Sequence, residues 1–374
     1  MITKLGSVIK EYSVRNKQDE DIPVYSVTNE QGFCTGYFSK EVASKDRTTY
    51  KIVPRGYFAY NPSRINVGSV DWQGCEDRVI VSPLYVVFGV DEKLDQQYLL
   101  HYLKSDITLT YIKALATGSV RDNLKFSILQ EFPINLRPID EQRKIASILD
   151  RIDRVIELRK EELETLDNLV KSRFIELFGD PKDNPKGYSK KQLKDTCRVI
   201  TGNTPSRAVS EYYGDHIEWI KTDNIVSGLL NPTTATESLS EKGMAVSRTV
   251  ESGVILMACI AGSIASIGRV CVTDRKVAFN QQINAIVPSD YNILFLYVML
   301  QISKEYLVDE INMALKGILS KSKLEEKTFY VPPIELQEQF AAFVEQTDKS
   351  KLAVQKSLGE LVLLKKSLMQ QYFG

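Results

Sequence analysis

The last stretch of the chain repeats its middle. Pro138–Gly179 aligns without gaps on Pro333–Gly374 at a constant offset of 195 residues, and twelve of the 42 positions are identical. They are Pro138/Pro333, Ile139/Ile334, Gln142/Gln337, Ala146/Ala341, Asp153/Asp348, Leu163/Leu358, Leu166/Leu361, Leu169/Leu364, Lys171/Lys366, Ser172/Ser367, Phe178/Phe373 and Gly179/Gly374. Ordinary residue frequencies would give about two or three by chance. The chain therefore reads as two similar halves, each a block of about 140–150 residues followed by a long helical segment. Duplication within one chain makes approximate two-fold symmetry available. A molecule of that kind suits a partner with the same symmetry, and duplex DNA is the commonest one.

The two repeated segments give the firmest structural expectation. In the first, Ile145, Leu149, Ile152, Ile156, Leu163, Leu166, Val170 and Leu177 follow alternating +4/+3 spacing, interrupted only by Arg159 and Arg173. That is the seam of a coiled-coil helix. Pro138 precedes it, Asp140 and Glu141 fall in its first turn where the helix dipole favours acids, and Gly179 with Pro181 stops it. The second segment places Phe340, Val344, Val354, Leu358, Leu361, Leu368 and Tyr372 in the matching series, with Thr347, Lys351 and Lys365 interrupting. Neither helix is stable alone in water, so each needs a partner. The block between them must return the chain, which makes antiparallel pairing the simplest arrangement. One block would then stand at each end of a rod.

The blocks themselves read as mixed α/β. In the first, Ile22–Thr28, Tyr57–Tyr60 and Val79–Val90 are rich in β-branched and aromatic residues between Gly and Pro breakers, and predict strands. Gln96–Leu115 changes period and predicts a helix. In the second block Ile217–Ile220, Gly253–Cys259 and Val277–Val287 predict strands and Asn292–Leu315 a helix, in the same order. Gly56 stands before Tyr57–Tyr60 as Gly253 stands before Val254–Met257. The expected fold class is α+β: two similar mixed α/β domains separated by two long antiparallel coiled-coil helices, with pseudo-two-fold symmetry. The expected boundaries are 1–137, 138–180, 181–331 and 332–374.

No chemistry emerges from the motifs. There is no phosphate-binding GxxxxGK[ST] loop, and Gly262–Arg269 has the wrong spacing for one. The two histidines, His101 and His216, lie in different blocks without a metal-ligand pattern and read as satisfied structural residues. Asn61-Pro62-Ser63-Arg64 lacks the second Pro and the aromatic residue of an adenine methyltransferase signature. The five cysteines are scattered with no CxxC and read as reduced thiols. Forty-eight basic residues balance 48 acidic ones, so any nucleic-acid binding must rest on local charge rather than net charge. No apolar run reaches the ~18 residues of a membrane span. Met1–Lys10 leads into no apolar signal segment, and the expected location is cytoplasmic.

Pro138-Ile-Asp-Glu-Gln142…Phe178-Gly-Asp180, with its echo Pro333-Ile-Glu-Leu-Gln337…Phe373-Gly374, resembles the DNA specificity (S) subunit of type I restriction-modification enzymes. Gly118-Ser-Val-Arg121, Ile217-Glu-Trp-Ile-Lys-Thr-Asp-Asn-Ile225, Ile267-Gly-Arg-Val270 and Phe279-Asn-Gln-Gln282 resemble further parts of that family. The second half departs at Gly317-Ile-Leu-Ser320, which lacks the counterpart of Arg121. The resemblance implies that each block is a target recognition domain reading one half of a bipartite site, and that the chain itself is not an enzyme. It implies that the paired helices set the spacer and dock two modification (M) subunits, which carry S-adenosylmethionine. Restriction (R) subunits, which use ATP, can join. No cofactor is expected on this chain.

Base readout needs polar side chains on loops that enter a groove. In the first block the candidates are Ser26, Thr28, Asn61, Ser63, Arg64 and Asn66. In the second they are Lys221, Thr222, Asp223, Asn224, Ser263, Ser266, Gln281 and Gln282. Arg121, Arg269 and Lys321 suit phosphates better. Ordinary turn chemistry is the competing explanation for each. The alternative function is a symmetric coiled-coil scaffold that holds two copies of a protein without reading DNA.

Overall fold

The computed structural model describes residues 2–36, 47–115, 123–309, 311 and 317–374. Two compact units result, one from Met1–Leu158 with Ser357–Gly374, the other from Arg159–Lys356. Each unit thus holds one block and a half of each long helix. These boundaries differ from the sequence-based ones because half of each helix packs with the block beside it.

In the first unit, four strands form an antiparallel sheet in the order Ile9–Glu11, Val86–Val90, Phe58–Tyr60, Val70–Trp72. Ile2–Lys4 pairs with Pro133–Asn135 beside it. Phe58 lies opposite Phe88 in register, and their rings stack at 5.0 Å. That pair enters a core with Tyr98, Leu99, Leu103, Phe132, Ile145, Leu149 and Met369. The second unit repeats the plan. Its sheet runs Cys197–Thr201, Ile283–Pro288, Ile255–Ala258, Val270–Val272, again antiparallel, and Lys190–Gln192 pairs with Thr328–Tyr330. A second sheet adds Ile217–Ile220 beside the parallel strand Val277–Phe279. Gly56 and Gly253 both adopt the left-handed region, at φ +84° and +82°. Their N–H groups donate to the Gln73 and Thr273 carbonyls at 2.6 and 2.7 Å. The landmark seen in the sequence is one shared turn.

Four expected elements are interrupted. Gln96–Leu115 is two helices, Gln96–Leu103 and Asp106–Leu115, because buried Ser105 accepts the Thr108 N–H at 3.2 Å and restarts the chain. Asn292–Leu315 turns at Ser303 between Ile293–Ile302 and Lys304–Val308, and its far end lies partly outside the described residues. Val79–Val90 breaks at Ser82-Pro83, and Val277–Val287 at the Asn280–Gln282 turn. A single apolar run hid both turns.

The central helix spans Ile139–Phe178 and the distal helix Ile334–Phe373, 40 residues each. Gly179 ends the first at φ +79°, where a Cβ would stand 2.2 Å from Pro185. Within each unit the halves run antiparallel. In the second unit, Phe174 and Phe178 pack on Phe340 and on Phe295 of the block, while Asp167 meets Lys351 at 2.6 Å. In the first unit, Asp153 meets Lys365 at 2.5 Å, and Ile145, Ala146 and Leu149 share a core with Met369. Ile145, Leu149, Ile156, Phe340, Val344 and Val354 are buried; Ile152, Leu163, Leu166, Val170, Leu358, Leu361 and Leu368 are half-buried. The lysines that seemed to interrupt the seam are salt-bridge partners within it.

The repeated glutamine is the joint between block and helix. Gln142 is fully buried: Oε1 accepts the Asp95 N–H at 2.9 Å, and Nε2 donates to the Lys93 and Arg137 carbonyls, both at 2.8 Å. Gln337 does the same, accepting from Asn292 N–H at 2.9 Å and donating to the Pro332 carbonyl at 2.8 Å. Asp95 and Asn292 each cap the N-terminus of a core helix of their block.

Candidate nucleic-acid interface

In the second unit, one polar face grows from a close backbone approach. Gly202 carries no side chain because a Cβ there would lie 2.1 Å from the Asn280 carbonyl oxygen. Its N–H donates to the Ile283 carbonyl, and the next residue, Asn203, donates to that of Phe279 at 3.2 Å. The loop is thereby pinned to the Asn280–Gln282 turn, where Thr204 donates to the Gln281 side-chain oxygen. Asn203 also accepts the Arg248 N–H at 2.8 Å and donates to the Val246 carbonyl. Trp219 lies beneath, its ring N–H on the Asn203 carbonyl at 3.4 Å. The strand that carries it ends at Ile220 and leads into Lys221–Asn224.

Gln281, Lys221, Thr222 and Asp223 therefore belong to this neighbourhood, joined by Thr204, Arg207 and Arg248. Asn224 is a correction. It is 6% exposed, accepts the Lys221 N–H at 3.0 Å and donates to Thr233 and Thr234, so it shapes the turn. Gln282 bonds Asn280 at 3.1 Å, and its carbonyl receives the Cys259 and Ile260 N–H groups. Ser263 and Ser266 bond each other at 3.1 Å. Arg269 is a second correction: its guanidinium turns inward to Ser266 and the Ile225 carbonyl. It lines a cavity of about 230 Å³ with Asp167, Asp348 and Lys351 of the long helices. Lys321 opens the short helix Lys321–Glu326, 3.5 Å from Glu325.

The first unit gathers its candidates more tightly. Thr28, Asn61 and Arg64 line one cavity of about 160 Å³ with Asn29, Ser69 and Tyr85. Thr28 lies on the Ser26–Thr28 strand, which hairpins with Gly32–Cys34, and Ser26 begins it. Ser69 donates to the Val27 carbonyl at 2.6 Å and Tyr85 accepts the Val27 N–H at 3.4 Å, which fixes the cavity wall. Burial raises the Tyr85 phenol above its ordinary pKa, so it stays neutral. Asn61 accepts the Ser63 N–H at 3.1 Å, Ser63 bonds Asn123 at 2.6 Å, and Asn66 sits half-buried in the following turn. Arg121 lies outside the described residues.

The chemistry of these faces is hydrogen bonding and charge. Burial pushes the thiols of Cys197, Cys259 and Cys271 up to about 12, which leaves them inert. Among the described residues no group of His, Cys, Asp and Glu could hold a metal ion, and no helix is long and apolar enough to cross a membrane. His101, buried, bonds Asp150 at 2.8 Å, as a structural histidine does.

Thr204, Arg207, Arg248, Tyr85 and Ser69 were not legible as site residues beforehand. The one signal was Gly202-Asn-Thr-Pro-Ser-Arg207, a breaker-rich run ending in a cation shortly before Tyr213 and Trp219.

One framework built twice, with unlike polar loops on each copy and shared long helices, defines a two-block recognition protein. The chain belongs to the family of the type I restriction modification DNA specificity domain, whose model matches it twice, over residues 4–168 and 185–362. It is 25% identical over 299 residues to the MjaIX type I restriction enzyme specificity subunit of Methanocaldococcus jannaschii, covering 73% of this chain and 67% of that one. It is 33% identical over 120 residues to the HindI specificity subunit of Haemophilus influenzae, covering 31% of this chain and 25% of that one. Among solved structures, the S subunit of the type I restriction-modification system from M. genitalium matches with a TM-score of 0.61 at 16% identity, over 100% of this chain and 96% of that one. A chain from a study of complex assembly and conformational transition in the type I system matches at 0.58 and 18%, over 100% and 97%. These structural likenesses show the fold.

Proposed function

We propose that this chain is the sequence-reading subunit of a type I restriction-modification complex and performs no catalysis itself. Each unit reads one half of a bipartite duplex target, and the long helices dock two modification subunits, to which restriction subunits can be added. S-adenosylmethionine and ATP belong to those partners, and the complex works in the cytoplasm. The observation that carries the reading is the duplication of one framework under two different polar faces. A symmetric scaffold with no nucleic-acid role would have no use for that divergence.

The test is long-read methylation mapping in cells that express a modification subunit with and without this chain. A split methylated motif that appears only with the chain is the expected result. Methylation of the same motif in its absence would remove the reading role.

A further inference from the structure

The second unit carries two cations drawn onto one carboxylate. Arg207 donates to one oxygen of Glu237 at 2.7 Å, and Lys221 lies 3.0 Å from the other. Both cations rest on aromatic faces. The Arg207 guanidinium is 4.5 Å from the Tyr213 ring centre and 5.3 Å from that of Trp219, and the Lys221 ammonium is 5.2 Å from Trp219. The rings stand edge to face, 6.2 Å apart, as a rigid floor.

Glu237 differs from its neighbour Glu218. Glu218 takes a bidentate pair from Arg275, at 2.7 and 2.9 Å, and a backbone N–H from Ala235, so its carboxylate is woven into the fold. The Glu237 carboxylate has Arg207 and Lys221 and, among the described residues, no backbone N–H donor. Its side chain is 37% exposed. Two cations converging on the two oxygens of one half-exposed carboxylate present the geometry that the two non-bridging oxygens of a phosphodiester require. The neighbourhood also holds Arg248 and the Thr204–Gln281 pair.

We propose that Arg207 and Lys221 form a phosphodiester-binding site for the DNA backbone, and that Glu237 occupies it as an internal anion which DNA must displace. This rests on the reading that the unit binds duplex DNA. The clamp lowers affinity for any backbone, so that binding depends on base contacts made at the same time.

The test uses the full chain and a labelled random-sequence duplex of about 30 base pairs, titrated from about 50 to 300 mM salt. Glu237→Gln should bind about threefold tighter at the low-salt end and steepen the salt dependence by about one released ion. Adding Arg207→Ala should cancel both gains. Equal affinity and slope in wild type and a folded Glu237→Gln overturn the proposal. If the Glu237→Gln variant loses its melting transition, Arg207→Ala and Lys221→Ala decide instead: each should make the slope shallower by about one, and unchanged slopes overturn it. If neither wild type nor any variant binds duplex, the isolated chain needs its partner subunits to hold DNA, and the methylation map alone judges the reading role. Heparin elution then judges the clamp alone: Glu237→Gln must elute later and Arg207→Ala earlier than wild type, and co-elution overturns it.

Discussion

Gln142 and Gln337 stand at the same place in the two copies of the repeat, and each closes the joint between a block and a long helix with a buried amide. Truncating Gln142 to Ala strands the Asp95 N–H and two carbonyls. Unsatisfied buried groups of this kind make the expected loss about 2–4 kcal/mol, read as a shift of one transition in urea unfolding. Identical residues do not always keep identical work. Asp153 pairs with Lys365, whereas its counterpart Asp348 is half-buried near Asp167, and burial raises its pKa despite Lys351. A carboxyl whose pKa rises on folding loses stability as pH climbs above its unfolded value. Asp348→Asn should therefore stabilise the second unit at neutral pH, with the gain fading toward about pH 4; a melting temperature below wild type at neutral pH would contradict this. His101 has the opposite sign. Burial, outweighing Asp150, holds it below its ordinary 6.5, so the unfolded chain takes up the proton first. Its contribution is complete above about pH 6.5 and declines below it. His101→Gln should flatten that part of the pH–stability profile.

Paired helices were the most legible element, because a heptad seam needs only the order of apolar residues and the first helix ends at Gly179, where the sequence stops it. What the pattern could not show is that Lys351 and Lys365 find Asp167 and Asp153. Apolar period marks which face is covered and says nothing of what a long cation reaches across it. These pairs help fix the antiparallel register, since a slip would leave a largely buried Lys351 alone. Asp167→Ala, which leaves Lys351 largely buried without it, should cost about 3 kcal/mol and Lys351→Ala less, with a coupling of about 1–2 kcal/mol in a double-mutant cycle. Strands were legible where β-branched runs met breakers, and the turns inside Val79–Val90 and Val277–Val287 were lost because their flanks are equally apolar. The loop after Thr201 was missed for a different reason: Gly202 is required by the carbonyl of Asn280, far along the chain, a constraint no local window contains. Gly202→Ala should push that loop off the Asn280–Gln282 turn and impair DNA binding through the second unit while leaving the cavity at Asn61 and Arg64 intact, checked by methylation of each half of the motif.

Over the whole chain, one plan is executed twice with different surfaces, and the prediction at this scale is separability. Asn61→Ala with Arg64→Ala should relax one half of the methylated motif. Gln281→Ala should relax the other by about 1–3 kcal/mol of discrimination. Mapped motifs in which either change degrades both halves would show that the units do not read independently. Part of this plan was visible in the repeat, but not the shared sheet order, because unlike side chains can fill the same framework. The buried glutamine has a last consequence. It grips only main-chain atoms of the block, an N–H and neighbouring carbonyls, and is indifferent to which side chains the block carries. A foreign block whose helix starts at the same spot would plug into the same socket, so new targets could arise by exchanging whole cartridges between such chains, with the breakpoints falling in the segments around Pro138 and Pro333.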